Sequence, residues 1–161
     1  MKSISMALAS LLLLSPAMAD TEGDVQTMLN TLLPIAEELL VEHGEFFPFG
    51  GAMTTDGEVV TISGIDGLNS DQPSANEVMD MLDINLRIGA ENQRYNATAV
   101  LSNVVVTPPG KDTPTTAIAV TLDHRAGFAM TLVFPYSIED SAVTLGDLFA
   151  KASPRRLFES P

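Results

Sequence analysis

The sequence predicts an α+β protein: a single antiparallel five-stranded sheet with helices on one face, in the order α-β-β-α-β-β-β-α. Three observations carry that expectation. Residues 24–43 show an apolar stripe at three- and four-residue spacing, the period of a helix lying on a core. Residues 74–77, "SANE", read as a capping box, with Ser74 as N-cap and Glu77 three positions later. Three β-branched or alternating runs then follow with only turns and a short loop between them, and such connections join antiparallel strands. Helices laid on one face of such a sheet would bury both apolar surfaces.

The first helix carries Val25, Met28, Leu29, Leu32, Ala36, Leu39, Leu40 and His43 on one stripe. Pro34 lies inside it and predicts a kink or break, because proline lacks the N–H and crowds the preceding turn. Gly44 suits the left-handed position that ends a helix. Residues 46–54 and 59–65 read as two strands, with Asp56-Gly57 as the hairpin signal whose two central residues take positive φ. The second helix runs from the capping box to about Gly89, with Val78, Met81, Leu82 and Ile88 facing inward. Residues 98–106, 116–122 and 128–134 are the remaining strands, and residues 145–151 read as a short last helix.

This order of elements is similar to that of the roadblock and profilin-like folds. The resemblance implies a sheet order 2-1-5-4-3, with the first and last strands side by side at the centre. The stretches "EHGEFFPFG" and "LDHRAGFAMTLVFPY" also resemble small bacterial α+β domains of unknown function, a likeness that implies no activity.

The chain's start has the layout of a secretory signal peptide over residues 1–19. Lys2 precedes an apolar run at residues 11–14, then come Pro16 and Ala17-Met18-Ala19, so cleavage is expected before Asp20. The apolar run is too short for a hydrocarbon core of ~30 Å. Residues 20–161 then form a single α+β domain in a periplasmic or secreted protein. With no cysteine, the chain has no disulfide, thiolate metal site or cysteine nucleophile. Eight basic residues stand against twenty-one acidic ones, a net charge of −13. That surface repels phosphate backbones and anionic headgroups, so no nucleic acid is expected as a partner, and neither is a membrane span.

Motifs for common chemistries are missing: no nucleophile elbow, phosphate loop, dinucleotide fingerprint or H-E-x-x-H helix occurs. The sequence points to no cofactor and no metal. The oxygen-rich loop with Asp66, Asn69 and Asp71 lacks the spacing of a calcium loop and reads as a turn. Each histidine has acidic neighbours, Glu42-His43-Gly44-Glu45 and Asp123-His124-Arg125. With strands one and five as neighbours, His43 and His124 fall at opposite ends of the sheet and share no site. Taken singly, His43 suits the negative end of a helix, and His124 reads as a polar hairpin residue.

"HGEFFPFGG", residues 43–51, therefore reads first as a joint: helix stop, strand start and sheet rim. Its Pro48 has an echo in Pro135. Proline cannot donate to a ladder, so both belong where the ladder stops. If strands one and five are neighbours, the two prolines meet at one rim. His43, Phe47, Phe49, Phe134 and Tyr136 then converge on an apolar pocket, the candidate binding site. The expected function is an exported binding or assembly module for an unknown protein or small apolar ligand. The alternative is a small exported hydrolase or isomerase using His43 with Glu42 or Glu45. A third reading, pairing through an exposed strand edge, requires an edge without Pro, Lys or cover.

Overall fold

The computed structural model describes residues 16–153 and 156–158. Most of the expected signal peptide, residues 1–15, lies outside the described residues. The elements are α1 (Pro16–His43), β1 (Phe49–Thr54), β2 (Val59–Ile62), α2 (Ala75–Glu91), β3 (Tyr95–Val106), β4 (Thr115–His124), β5 (Phe128–Glu139), β6 (Ala142–Leu145) and β7 (Phe149–Ala152). The α+β class holds, with one antiparallel sheet, but that sheet has seven strands among the described residues and not the five expected.

The sheet order differs from the expected 2-1-5-4-3. It is β2-β1-β3-β4-β5-β6, with β7 also on β5. From β3 onward the chain is a meander, and α2 carries it from β2 across β1 to β3. β3 and β4 are joined by a loop over residues 107–114 and β4 and β5 by a three-residue turn, so neighbours in sequence pair in space and no strand returns to the centre. The roadblock and profilin-like order is therefore not the one adopted.

The helices also do not share a face. Gly50 and Gly51 are consecutive in β1 and so point to opposite sides of the pleat. A Cβ on Gly50 would touch Leu82 of α2, whereas one on Gly51 would collide with Leu32 of α1. α1 covers the main core, in which Met28, Leu29, Leu32, Leu33 and Leu40 meet Met53, Leu101, Ile118, Val120, Leu132 and Phe134. α2 covers the other face with Val78, Leu82 and Leu86 against Ala52 and Val100. The two glycines let both helices approach the same strand closely.

α1 runs unbroken through Pro34, whose side chain is exposed. The carbonyl of Asn30 that loses its partner lies on that same exposed side, where the loss is cheap. Gly44 closes the helix at φ 74°, its N–H donating to Leu40 O at 2.8 Å. In α2 the capping box forms in full: Glu77 N donates to Ser74 Oγ, and Ser74 N donates to Glu77 Oε2 at 2.8 Å. Its buried stripe is Val78, Leu82 and Leu86, while Met81 is half-buried and Ile88 is 47% exposed.

The β1–β2 turn corrects the expected geometry. Only Gly57 has positive φ; Gly57 N donates to Thr54 O and Thr54 N to Glu58 O. This is a three-residue loop with glycine in the left-handed position, and the β4–β5 turn repeats it with Gly127. The turn in which both central residues take positive φ is Asp140-Ser141, between β5 and β6.

Residues 145–151 are not a helix. β6 and β7 line the outer edge of β5 in two pieces, Tyr136↔Leu145 ending one ladder and Val133↔Phe149 opening the next. Pro135 explains the break. Its carbonyl accepts from Gly146 N at 2.7 Å on that edge, and its missing N–H would have pointed the same way. A helix of two turns has little stability of its own. The open edge of β5 offers more hydrogen bonds than such a helix could form.

Candidate functional site

α1, β1, β2 and β3 come together at one end of the sheet, where β1 begins and β2 and β3 finish. The last turns of α1 present Ile35, Leu39 and His43 at four-residue spacing, one above the other. Gly44 turns the chain, and residues 45–48 cross in front of the sheet before β1 starts. Phe46 and Phe49 pack edge to face with ring centroids 5.7 Å apart. An open cleft of about 770 Å³ lies here. Its walls are Ile35, Leu39, Phe46, Phe47, Pro48 and Phe49, with Ile62 to Ile65 and Ala75 on the far side. His43, Glu45, Thr61, Ser63 and Asn103 supply the polar lining.

Of the residues expected at a pocket, His43, Phe47 and Phe49 line this cleft and Phe134 and Tyr136 do not. Phe134 is fully in the core. Tyr136 is 8% exposed, and its hydroxyl donates to Asn103 Oδ1 at 2.9 Å. Tyr136 therefore reaches the cleft only through Asn103, which sequence reasoning passed over. Its one signal was a carboxamide in a β-branched run. The expected meeting of Pro48 and Pro135 does not occur. Both lie toward the same end, but β3 and β4 stand between their strands. Three interstrand steps separate them, roughly 14 Å.

Phe47 is 49% exposed, and Val41, Ile65, Val105 and Ile138 are further large apolar side chains exposed at this end. Acidic side chains stand at both ends of the molecule, and Asp24, Asp56, Glu58 and Glu91 lie at the end away from the cleft. Glu42, Glu45, Asp66 and Glu139 stand at the cleft end together with Lys111. Arg94 and Arg125 lie at the opposite end, and Arg156 is bound there through its backbone N–H to Asp123. No lysine or arginine lines the cleft.

His43 is well exposed, and its Nε2 lies 3.6 Å from Glu42 Oε2, beyond a good hydrogen bond. His124 is at the other end of the molecule, tied to Asp24 in the N-terminal half of α1. Nineteen residues of helix separate Asp24 from His43, roughly 28 Å.

The Asp123-His124-Arg125 triplet holds the fold at that second end. Alternation sends Asp123 to the α2 face and His124 to the α1 face. Asp123 Oδ2 accepts the N–H groups of Arg156 and Leu157, each at 2.8 Å, and pins the C-terminal segment. His124 Nδ1 accepts from Ala126 N at 3.0 Å, which leaves Nε2 to carry the proton and donate to Asp24 Oδ2 at 2.9 Å. Arg125 donates to Ala90 O at the end of α2 and to Tyr95 O, and stacks on Phe158 at 4.9 Å. A cation at the carbonyl end of a helix is favourably placed.

Among the described residues, no group of three or more His, Asp or Glu side chains could hold a metal ion. None of their helices is long and apolar enough to cross a membrane. In the Asp66–Asp71 loop, Ser63 Oγ accepts from Ile65 N and Asp66 N, which organises a turn. No family model, curated protein or solved structure matches this chain.

Proposed function

We propose that the protein is an exported binding module that holds an apolar group, from a small ligand or a partner protein, in the cleft beside Phe46, Phe47 and Phe49. The observation that carries this reading is the cleft itself: about 770 Å³, walled by three phenylalanines and α1 aliphatics, with few polar groups. Sites for small apolar ligands have that size and make-up. Phe47 and Ile65, both exposed on the walls of that cleft, add to it, since exposed apolar surface marks interaction sites.

The hydrolase or isomerase alternative has less support. A general base works within hydrogen-bond reach of the groups it serves. The Glu42–His43 contact, at 3.6 Å between two exposed side chains, is longer than that.

The test is fluorescence titration with the neutral apolar dye N-phenyl-1-naphthylamine. Wild-type protein should enhance its emission saturably, and Phe47→Ala should weaken the effect roughly tenfold while leaving the unfolding midpoint nearly unchanged. Absence of saturable binding by folded wild type would overturn the reading. Where the dye binds, mass spectrometry of the protein purified from the exported fraction would identify the natural ligand.

A further inference from the structure

The edge of the sheet next to the cleft is open. β2 is the terminal strand, and its hydrogen-bonded partner is β1 alone. Its sequence is Val-Val-Thr-Ile, with high strand propensity and no Pro, Lys or other charge to blunt the edge. Among the described residues no backbone group outside the sheet bonds to Val60, Thr61 or Ile62. The chain following that edge, from Thr61 through Ile65, is also one wall of the cleft. An extended backbone laid along β2 would thus have a ladder on one side and apolar space for alternate side chains at its end.

The charges choose among possible occupants. Glu42 and Glu45 flank the cleft from the end of α1, and Asp66 and Asp71 follow in the loop after β2. A second copy of this chain would bring the same acids, and another net charge of −13, to the interface. An extended segment with basic residues would meet them favourably.

We infer that the outer edge of β2, Val59–Ile62, takes up an extended basic peptide as an added strand, with alternate apolar side chains seated in the adjoining cleft. This deepens the binding-module reading and rests on it: the cleft supplies side-chain pockets, and the strand edge supplies backbone recognition. Wherever the segment comes from, its pattern is alternating apolar and basic residues without proline at the ladder positions.

The probe is a fluorescein-labelled heptapeptide of alternating lysine and valine, followed by fluorescence anisotropy on the purified protein. It should bind, and more weakly as salt rises. Methylating alternate backbone nitrogens should weaken it roughly tenfold or more, because those donors are lost. The glutamate–valine counterpart should not bind. Thr61→Lys, a gatekeeper charge on an exposed edge position, should weaken the lysine–valine peptide by a similar factor. If the dye binds and the lysine–valine peptide does not, strand addition is overturned and the cleft reading stands. If neither binds, both fall. Equal binding of the methylated peptide would mean charge attraction without a ladder and would also overturn the inference. So would a dimer in sedimentation equilibrium that Thr61→Lys dissociates, since the edge would then serve a second copy.

Discussion

Asp24 and His124 are a hundred residues apart in sequence and joined by a 2.9 Å hydrogen bond in the N-terminal half of α1. The ring is only 9% exposed in its side chain, and both its nitrogens are engaged, one by Asp24 and one by the Ala126 N–H. Asp24→Ala leaves a buried imidazole N–H without its acceptor, a loss of about 1–3 kcal/mol. Asp24→Asn keeps an acceptor oxygen and should cost less. Urea unfolding midpoints of the two variants check the order, and equal midpoints would mean that the tether is not stabilising.

Two glutamates should act on the acid limb of stability in opposite directions. The Ser74 backbone N–H, and then its hydroxyl, hold the Glu77 carboxyl below its ordinary pKa. Its contribution is therefore present above the unfolded pKa and is lost as pH falls through the lower folded value. Burial raises Glu37. A raised carboxyl binds its proton more readily in the folded state, so stability falls as pH rises from the unfolded to the folded pKa. Glu77→Gln should flatten the acid-side loss of stability and Glu37→Gln should deepen it, read from denaturation midpoints between about pH 3 and 6.

Ser74→Ala removes the helix cap and should cost roughly 0.5–2 kcal/mol. Circular dichroism during unfolding would show the loss, and an unchanged midpoint would place the stability of α2 entirely in its buried stripe.

Gly51→Ala and Gly57→Val test two different uses of glycine. At Gly51 the added methyl strikes Leu32, so overpacking should cost about 1–3 kcal/mol. At Gly57 nothing lies within 4 Å of an added Cβ, but φ is 84°, and a β-branched residue there should cost about 1–3 kcal/mol through backbone strain alone. Leu32→Ala should rescue Gly51→Ala relative to its own background and leave Gly57→Val unaffected, as a double-mutant cycle would show.

Arg125→Lys should destabilise nearly as much as Arg125→Ala. The guanidinium reaches two carbonyls and lies over the Phe158 ring at once, a planar arrangement that an ammonium cannot repeat. Thermal unfolding of both variants checks it.

Local chemistry was legible wherever a few neighbouring residues sufficed to decide it. Ser74 and Glu77 announce their capping box, Gly44 its helix stop, and the alternation around Phe128 to Phe134 its strand, because each signal is complete within a few positions. Pro34 was misleading: whether a proline breaks a helix depends on which side the missing bond faces, and that is fixed by the burial of its neighbours. Phe47 and Phe49 were legible as candidates for an apolar site, and Asn103 was not, since its place at the cleft comes from the register of β1 on β3. Gly50 and Gly51 show the same limit. Both were read only as part of the strand over residues 46–54, yet their meaning is that helices pack on both faces of β1, which no local pattern records. The sheet order, the open edge of β2 and the hold of Asp24 on His124 are all pairings between distant segments. The sequence by itself determined the two helices and the five strands it named, while several of their ends and the nature of residues 145–151 were not legible in it. Which strand lies beside which was decided only when both faces of the sheet had to be buried at once, because that burial is a property of the whole set of elements and of none singly.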